Sequence, residues 1–286
     1  MENIKFWGRY HWCLFASLVL LQFNGCKKDD KKPQVEQPPQ KICQVAYLGN
    51  DHGHYKDSLV YEYQQEKVSK IRYYYDKVHA LDILITYSGS DELEYQVYRK
   101  SSTDQLAITG KVTLKDGLIR QVRDRSLFNW DNITYNMEYT KEGYLLRVRT
   151  GEPEGGLSDF QDFAYTDGNL THIYDGSWQN IFTEITYSDQ PMQAELVDYF
   201  IPLKVNTYDM RQLFLALYRM GLFGKRSKNM PKETISFVTG KRTLVNTYSY
   251  ARDARGKVTR ITKSVVNVFQ PGFNYTGYTS INYLCN

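Results

Sequence analysis

The sequence predicts an all-β protein, a large antiparallel up-and-down meander of hairpin repeats, curled or closed barrel-like, with one inserted helix near 209–221. Three observations predict it. Tyrosine occurs 25 times and aromatics make up 15% of the chain, a composition suited to pleated, half-buried surfaces where a ring packs and its hydroxyl reaches water. A strand-end, polar-turn, strand-start pattern recurs along the chain. Between the turns, apolar and polar residues alternate with the period of two that marks a sheet with one wet face.

The chain opens on an export signal, residues 1–25. Lys5 and Arg9 precede the apolar run "WCLFASLVLLQF", the length of a secretory core and too short to span a bilayer. It ends in "FNGC", which resembles the lipobox of bacterial lipoproteins, although Phe23 and Asn24 stand where an aliphatic and a small residue are usual. By that resemblance Cys26 is the lipidation residue, and the membrane is met through the lipid anchor only. Residues 26–41, "CKKDDKKPQVEQPPQK", are too charged and Pro/Gln-rich to bury surface and read as a disordered tether. The Lys/Asp cluster after the cysteine resembles the surface-export signal of Bacteroidota lipoproteins, which implies an outer-membrane protein exposed at the cell surface. Residues 42–286 are left for one β-meander domain with a substantial core.

Within that domain the hairpins follow in order. Turn-bearing stretches start at Tyr63 ("YQQEKVSKI"), Tyr87 ("YSGSDELEY"), Thr113 ("TLKDGLIRQV"), Tyr139 ("YTKEGYLLRV"), Tyr165 ("YTDGNLTHI") and Tyr187 ("YSDQPMQAEL"), with a further copy at Tyr250. The starts at 87, 113, 139 and 165 are 26 residues apart each time. That is the length of one hairpin with strands of about nine or ten residues. Seven such units give roughly 14 to 16 strands, which must curl, split or close to hide their apolar face and edges. Leu81, Ile83, Ile85 and Tyr87 fall on one face, opposite Asp82, Thr86 and Ser88; Ile133, Tyr135, Met137 and Tyr139 repeat the pattern.

One segment departs from it. In "YDMRQLFLALYRMGLFGKRSKNMPKE", Asp209 with Gln212 forms a capping-box pattern, Leu213, Leu217 and Met220 follow at helical spacing, and Gly221 suits a helix stop. This helix is expected to plug or cap the sheet; its basic exit (Lys225, Arg226, Lys228) is a candidate contact site. The repeats, the lipoprotein start and "GLFGKRSKNMPKE" together resemble a family of Bacteroidota lipoproteins described as having a porin-like β-meander fold, over about residues 42–286. The resemblance implies a fold and no activity. The turn stretches are also similar to YD repeats of secreted toxin shells, without their regular Arg-Tyr-Tyr-Asp core.

The chemistry in the sequence is mostly exclusion. Walker loops, a nucleophile elbow, HExxH and CxxC pairs are missing from the sequence. A net charge of +4 with no basic–aromatic block argues against nucleic acid. In "NDHGHY", His52 and His54 would share a face of a strand and are weak metal candidates, set against ordinary turn chemistry. No cofactor is expected. Asp159 with Asp162 and Glu152 with Glu154 read as solvated loop carboxylates. Trp130 beside Asp131, and Trp178 near Asp175, are the ligand-binding candidates, because an exposed indole stacks on a sugar ring while a carboxylate bonds its hydroxyls; the alternative is that both rings fill core gaps. Mid-strand charges in "LLRVRT" and "LEYQVYRK" and a mean hydropathy of −0.55 argue against a lipid-embedded barrel.

Four cysteines occur. Cys13 leaves with the signal and Cys26 carries lipid, leaving Cys43 and Cys285 as a disulfide candidate should the first and last strands be neighbours, against two separate buried thiols. The expected function is a non-enzymatic surface binding or scaffold module with a glycan or protein ligand. The alternative is a surface polysaccharide hydrolase or lyase with catalytic residues unassigned.

Overall fold

The computed structural model describes residues 43–52, 55–65, 67–100, 104–126, 132–151, 159–176, 181–193 and 208–285. In chain order these form β1 (Cys43–Asp51), β2 (Lys56–Gln64), β3 (Lys67–Tyr75), β4 (Val78–Tyr87), β5 (Glu92–Arg99), β6 (Gln105–Lys115), β7 (Leu118–Ser126) and β8 (Asn132–Tyr139). They continue as β9 (Leu145–Gly151), β10 (Asp159–Thr166), β11 (Asn169–Asp175), β12 (Ile181–Pro191), α1 (Tyr208–Arg219), β13 (Asn229–Val238), β14 (Lys241–Arg252), β15 (Val258–Asn267) and β16 (Tyr275–Cys285). Every strand pairs with its sequence neighbours, and β1 also pairs antiparallel with β16. The sheet therefore closes into a barrel of 16 strands, the upper end of the expected count, and closure removes the exposed edges that an open meander would carry. The near rim holds the start of β1, the end of β16 and the turns after the even-numbered strands. The far rim holds the turns after the odd-numbered ones.

Turn chemistry sets the hairpins. Asp116, Gly117, Asp167 and Gly168 all have positive φ, as two-residue hairpin turns require. Just past several near-rim turns the ladder takes an extra residue. Register shifts at Glu62/Tyr63, Thr113/Leu114, Glu138/Tyr139, Ala164/Tyr165 and Thr186/Tyr187 leave Ser69, Arg120, Leu146, Thr171 and Lys232 unpaired on the following strand. Such bulges bend the strand and re-aim side chains.

Tyrosines near this rim turn inward and hydrogen-bond the preceding strand. Tyr63 Oη donates to the Val45 carbonyl at 2.7 Å, Tyr87 to Val68 at 3.0 Å, Tyr187 to Leu170 at 2.6 Å, Tyr250 to Pro231 at 2.7 Å and Tyr283 to Val258 at 2.8 Å. The repeated tyrosine is thus both a core filler and a satisfier of backbone acceptors that a bulged ladder leaves exposed.

The barrel is mostly apolar inside. Leu81, Ile83 and Ile85 of β4, Leu93, Tyr95 and Val97 of β5, and Tyr135 and Met137 of β8 are buried in one core with the inner face of α1. Helix α1 lies within the wall. Tyr95 Oη meets the Met210 sulfur at 3.8 Å, Tyr87 Oη the Met220 sulfur at 3.6 Å, and Tyr135 packs edge-on against Phe214 at 5.0 Å. On the opposite side, burial pushes the Lys263 ammonium of β15 down, and the nearby charge of Arg211 adds to it.

The helix ends in a Schellman motif: Leu222 N–H bonds Leu217 O at 3.2 Å and Gly221 N–H bonds Tyr218 O at 2.9 Å, with Gly221 at φ +76°. Gly221 is the expected stop. The start differs by a residue: α1 begins at Tyr208, which puts Asp209 in the first turn rather than at the cap. Past the helix, the chain crosses the near rim, where Leu222 O accepts from Ile119 N–H at 2.9 Å, Lys225 N–H bonds Gly143 O at 2.8 Å and Lys228 N–H bonds Gly168 O at 2.9 Å. Only glycine fits position 224, since a Cβ there would stand 2.4 Å from Gly143 O.

Candidate functional site

Along β5 and β6 the outward Glu94, Gln96 and Lys111 alternate with the buried Leu93, Tyr95, Val97 and Val112, as strand alternation demands. Across β4 to β9 the register aligns one outward row, Thr86, Glu94, Lys111, Arg123, Thr134 and Gly151. A second row runs Gln96, Thr109, Arg125. These residues line a groove of about 880 Å³, within the size range of ligand pockets. Gln121 Nε2 donates to Asn136 Oδ1 at 2.8 Å along its side. The glycine positions shape the wall: a Cβ at Gly110 would lie 2.2 Å from Tyr95 Oη, and that hydroxyl crosses Gly110 to reach Arg123 O at 3.3 Å.

Charge is uneven within the groove. Lys111 and Arg123 face one another directly across the β6–β7 ladder, a like-charge pairing that costs stability. Lys111 is compensated by an ion pair with Glu92. Arg123 and Arg125 are exposed, and no ion pair among the described residues engages either one. Between them Asp124 points inward, 6% exposed, with Oδ1 accepting the Ile133 N–H at 2.9 Å. Burial pushes its carboxyl up to about 6 against the pull of that backbone bond.

The residues singled out in the sequence do not gather here. Trp130, Asp131, Trp178 and His54 lie outside the described residues. Asp175 ends β11 at the far rim, half-buried. His52 stacks on Tyr55 at 4.4 Å and its Nε2 lies 3.2 Å from Asp57 Oδ2, which shares its carboxylate with Asn50. The described residues contain no set of three metal-type ligands.

Two carboxylates read as solvated are not. Asp82, assigned to the wet face, is buried at 5% because Lys70 and Lys100 Nζ, each at 3.1 Å, and His79 Nε2 at 2.8 Å enclose it. Burial pushes its carboxyl up, but these hydrogen bonds outweigh burial and hold it below the usual range. Asp162 sits in β10 rather than a loop and pairs with Arg147 through both oxygens. At the basic exit, Arg226 Nη2 donates to Tyr218 O at 3.2 Å, and Lys225 lies over the Tyr144 ring at 5.7 Å. The groove was missed because its rows are cross-strand neighbours, visible only once register is known.

A family model described as "Domain of unknown function (DUF4595) with porin-like fold" matches residues 54–260. The chain belongs to this family. Among solved structures, the DUF4595 domain is similar to a porin-like protein from Bacteroides uniformis, with a TM-score of 0.63 at 15% identity over 85% of this chain and 96% of that one. A porin-like protein from Bacteroides vulgatus gives a TM-score of 0.55 at 12% identity over 85% and 99% of the two chains. These likenesses carry the fold. No curated protein sequence matches the chain. Among the described residues of the DUF4595 chain, no helix is long and apolar enough to cross a membrane.

Proposed function

We propose that this chain is a lipid-anchored binding module of the cell surface that works through the outer wall of its barrel, with a glycan as ligand. One observation carries the reading, the polarity of the wall. A lipid-embedded barrel has an apolar outer band and a polar lumen. Here Leu93, Tyr95 and Val97 are buried in the core, while Glu94, Gln96, Lys111 and Arg123 line an outer groove. With the helix and the core inside, the surface left for a partner is outside. Amide, hydroxyl and guanidinium groups lining that groove suit a hydroxyl-rich chain. The lipobox-like start at Cys26 and the Bacteroides structural neighbours support attachment at the outer membrane.

A second reading, a surface polysaccharide hydrolase or lyase, draws on Asp124. Burial pushes its carboxyl up to about 6, a range suited to a general acid, and the residue borders the groove; an enzyme would need that carboxyl to turn outward from the inward position it holds here. A glycan array run beside turnover assays separates the two. Binding without product supports the module; released product shows the enzyme. The anchor has its own test: Cys26→Ser protein is expected in the soluble fraction without detergent, and a continued need for detergent would overturn that part.

A further inference from the structure

We infer that the groove across β4–β9 takes an acidic polysaccharide, a glycan chain bearing carboxylate or sulfate groups at intervals; the inference rests on the glycan-binding reading above. Its basis is the arrangement of cations. Arg123 and Arg125 are successive outward residues of β7, so their side chains leave the same face about 7 Å apart. Neither is neutralised by an ion pair among the described residues, and Arg123 also faces Lys111 directly. Lys111 already has its ion pair with Glu92, so among the described cations of the groove the two arginines are the ones left for an outside anion to relieve. Guanidinium groups bind carboxylate and sulfate oxygens with paired N–H donors.

The rest of the lining decides what kind of anion fits. Gln96, Gln121, Asn136 and the threonines 86, 109 and 134 outnumber the charges, which matches a ligand made mostly of hydroxyl groups with sparse charge. Glu94 stands next to Lys111 in the same row and would repel a backbone carrying a phosphate at every unit. The aromatic ring of the lining, Tyr95, is buried at 1% exposure, so no base-stacking surface is offered there.

The test uses the full-length protein in mild detergent with polygalacturonate, chondroitin sulfate, neutral dextran and single-stranded DNA as probes, read by affinity electrophoresis. Both acidic polysaccharides are expected to bind, and to weaken by about tenfold or more between ~0.05 and ~0.5 M salt. Arg123→Gln with Arg125→Gln, at exposed positions that leave the core intact, is expected to abolish most of that binding, whereas Lys241→Gln at a far-rim turn changes nothing. Neutral dextran bound as tightly as polygalacturonate, with the arginine variant unaffected, overturns the acidic class while leaving glycan binding in place. DNA bound more tightly than either polymer overturns the polysaccharide class. No polysaccharide bound at all sinks both readings.

The seam of the barrel carries a second proposal independently. We propose that Cys43 and Cys285 are joined as a cystine. The β1–β16 register places them as direct partners, followed without interruption by Gln44 opposite Leu284 and Val45 opposite Tyr283. Directly opposed residues of an antiparallel pair have Cα atoms about 4.5–5.5 Å apart, inside the range of about 4.4–6.8 Å that a disulfide spans. The two thiols lose two protons, and their two electrons pass to the disulfide of a thiol–disulfide oxidoreductase in the export compartment, which becomes a dithiol. Non-reducing peptide mapping is expected to recover the Cys43 and Cys285 peptides linked, and reductant to lower the unfolding midpoint. Alkylation of both thiols in unfolded, unreduced protein would overturn the proposal.

Discussion

At the scale of single residues, Asp124 is a carboxylic acid, among those described, whose environment opposes its charge. Its folded-state carboxyl titrates at about 6, above the ordinary aspartate value near 4. The folded protein therefore holds this proton more tightly than the unfolded chain, and stability falls as pH rises from about 4 to about 6, then levels off. Asp124→Asn keeps the acceptor for Ile133 N–H and removes the charge. It is expected to raise stability by up to about 3 kcal/mol at neutral pH and by nothing below pH ~4, measured by thermal melts across that range. Residues also mark what the sequence conceals. The repeating tyrosines were legible as strand ends, but not their carbonyl bonds such as Tyr187 to Leu170, because those depend on a bulge that no local pattern announces. Asp82 sat correctly in the polar half of its strand, yet its burial comes from Lys70 of β3 and Lys100 just past β5.

At the scale of elements, the helix and the hairpins differ in how they are written. Turn chemistry and alternation are local, so the strands from β4 to β11 fall where the 26-residue spacing puts them. Helix α1 was legible through its own periodicity and Gly221, while its place inside the wall was only one of two options, plug or cap. What settles it is packing: Phe214 lies between Tyr135 at 5.0 Å and Phe223 at 5.7 Å, and is 1% exposed. Phe214→Ala is expected to cost about 3–5 kcal/mol, seen as a lower midpoint in denaturant titration. If the helix were a loosely held lid, the midpoint would barely move. The outer groove was illegible for a related reason. Arg123 and Lys111 are 12 residues apart in sequence, and it takes the β6–β7 register to make them neighbours.

At the scale of the whole molecule, the sequence carried the meander, a range of roughly 14 to 16 strands and the need to hide their edges by curling, splitting or closing; it did not say which strands would meet. The pairing of β1 with β16 supplies that, and it has a topological consequence. Because the first and last strands lie side by side, the polypeptide is nearly a ring, and the position of its break is a matter of genetics rather than of folding. A circular permutant that links Cys285 to Cys43 through a short spacer and opens the chain at the Thr239–Gly240 turn, where both residues have positive φ, is expected to keep the same far-UV spectrum and cooperative melt. That turn belongs to the opposite rim. The permutant would therefore send its new ends out from the far rim, at the other end of the barrel from the start of β1 and the end of β16.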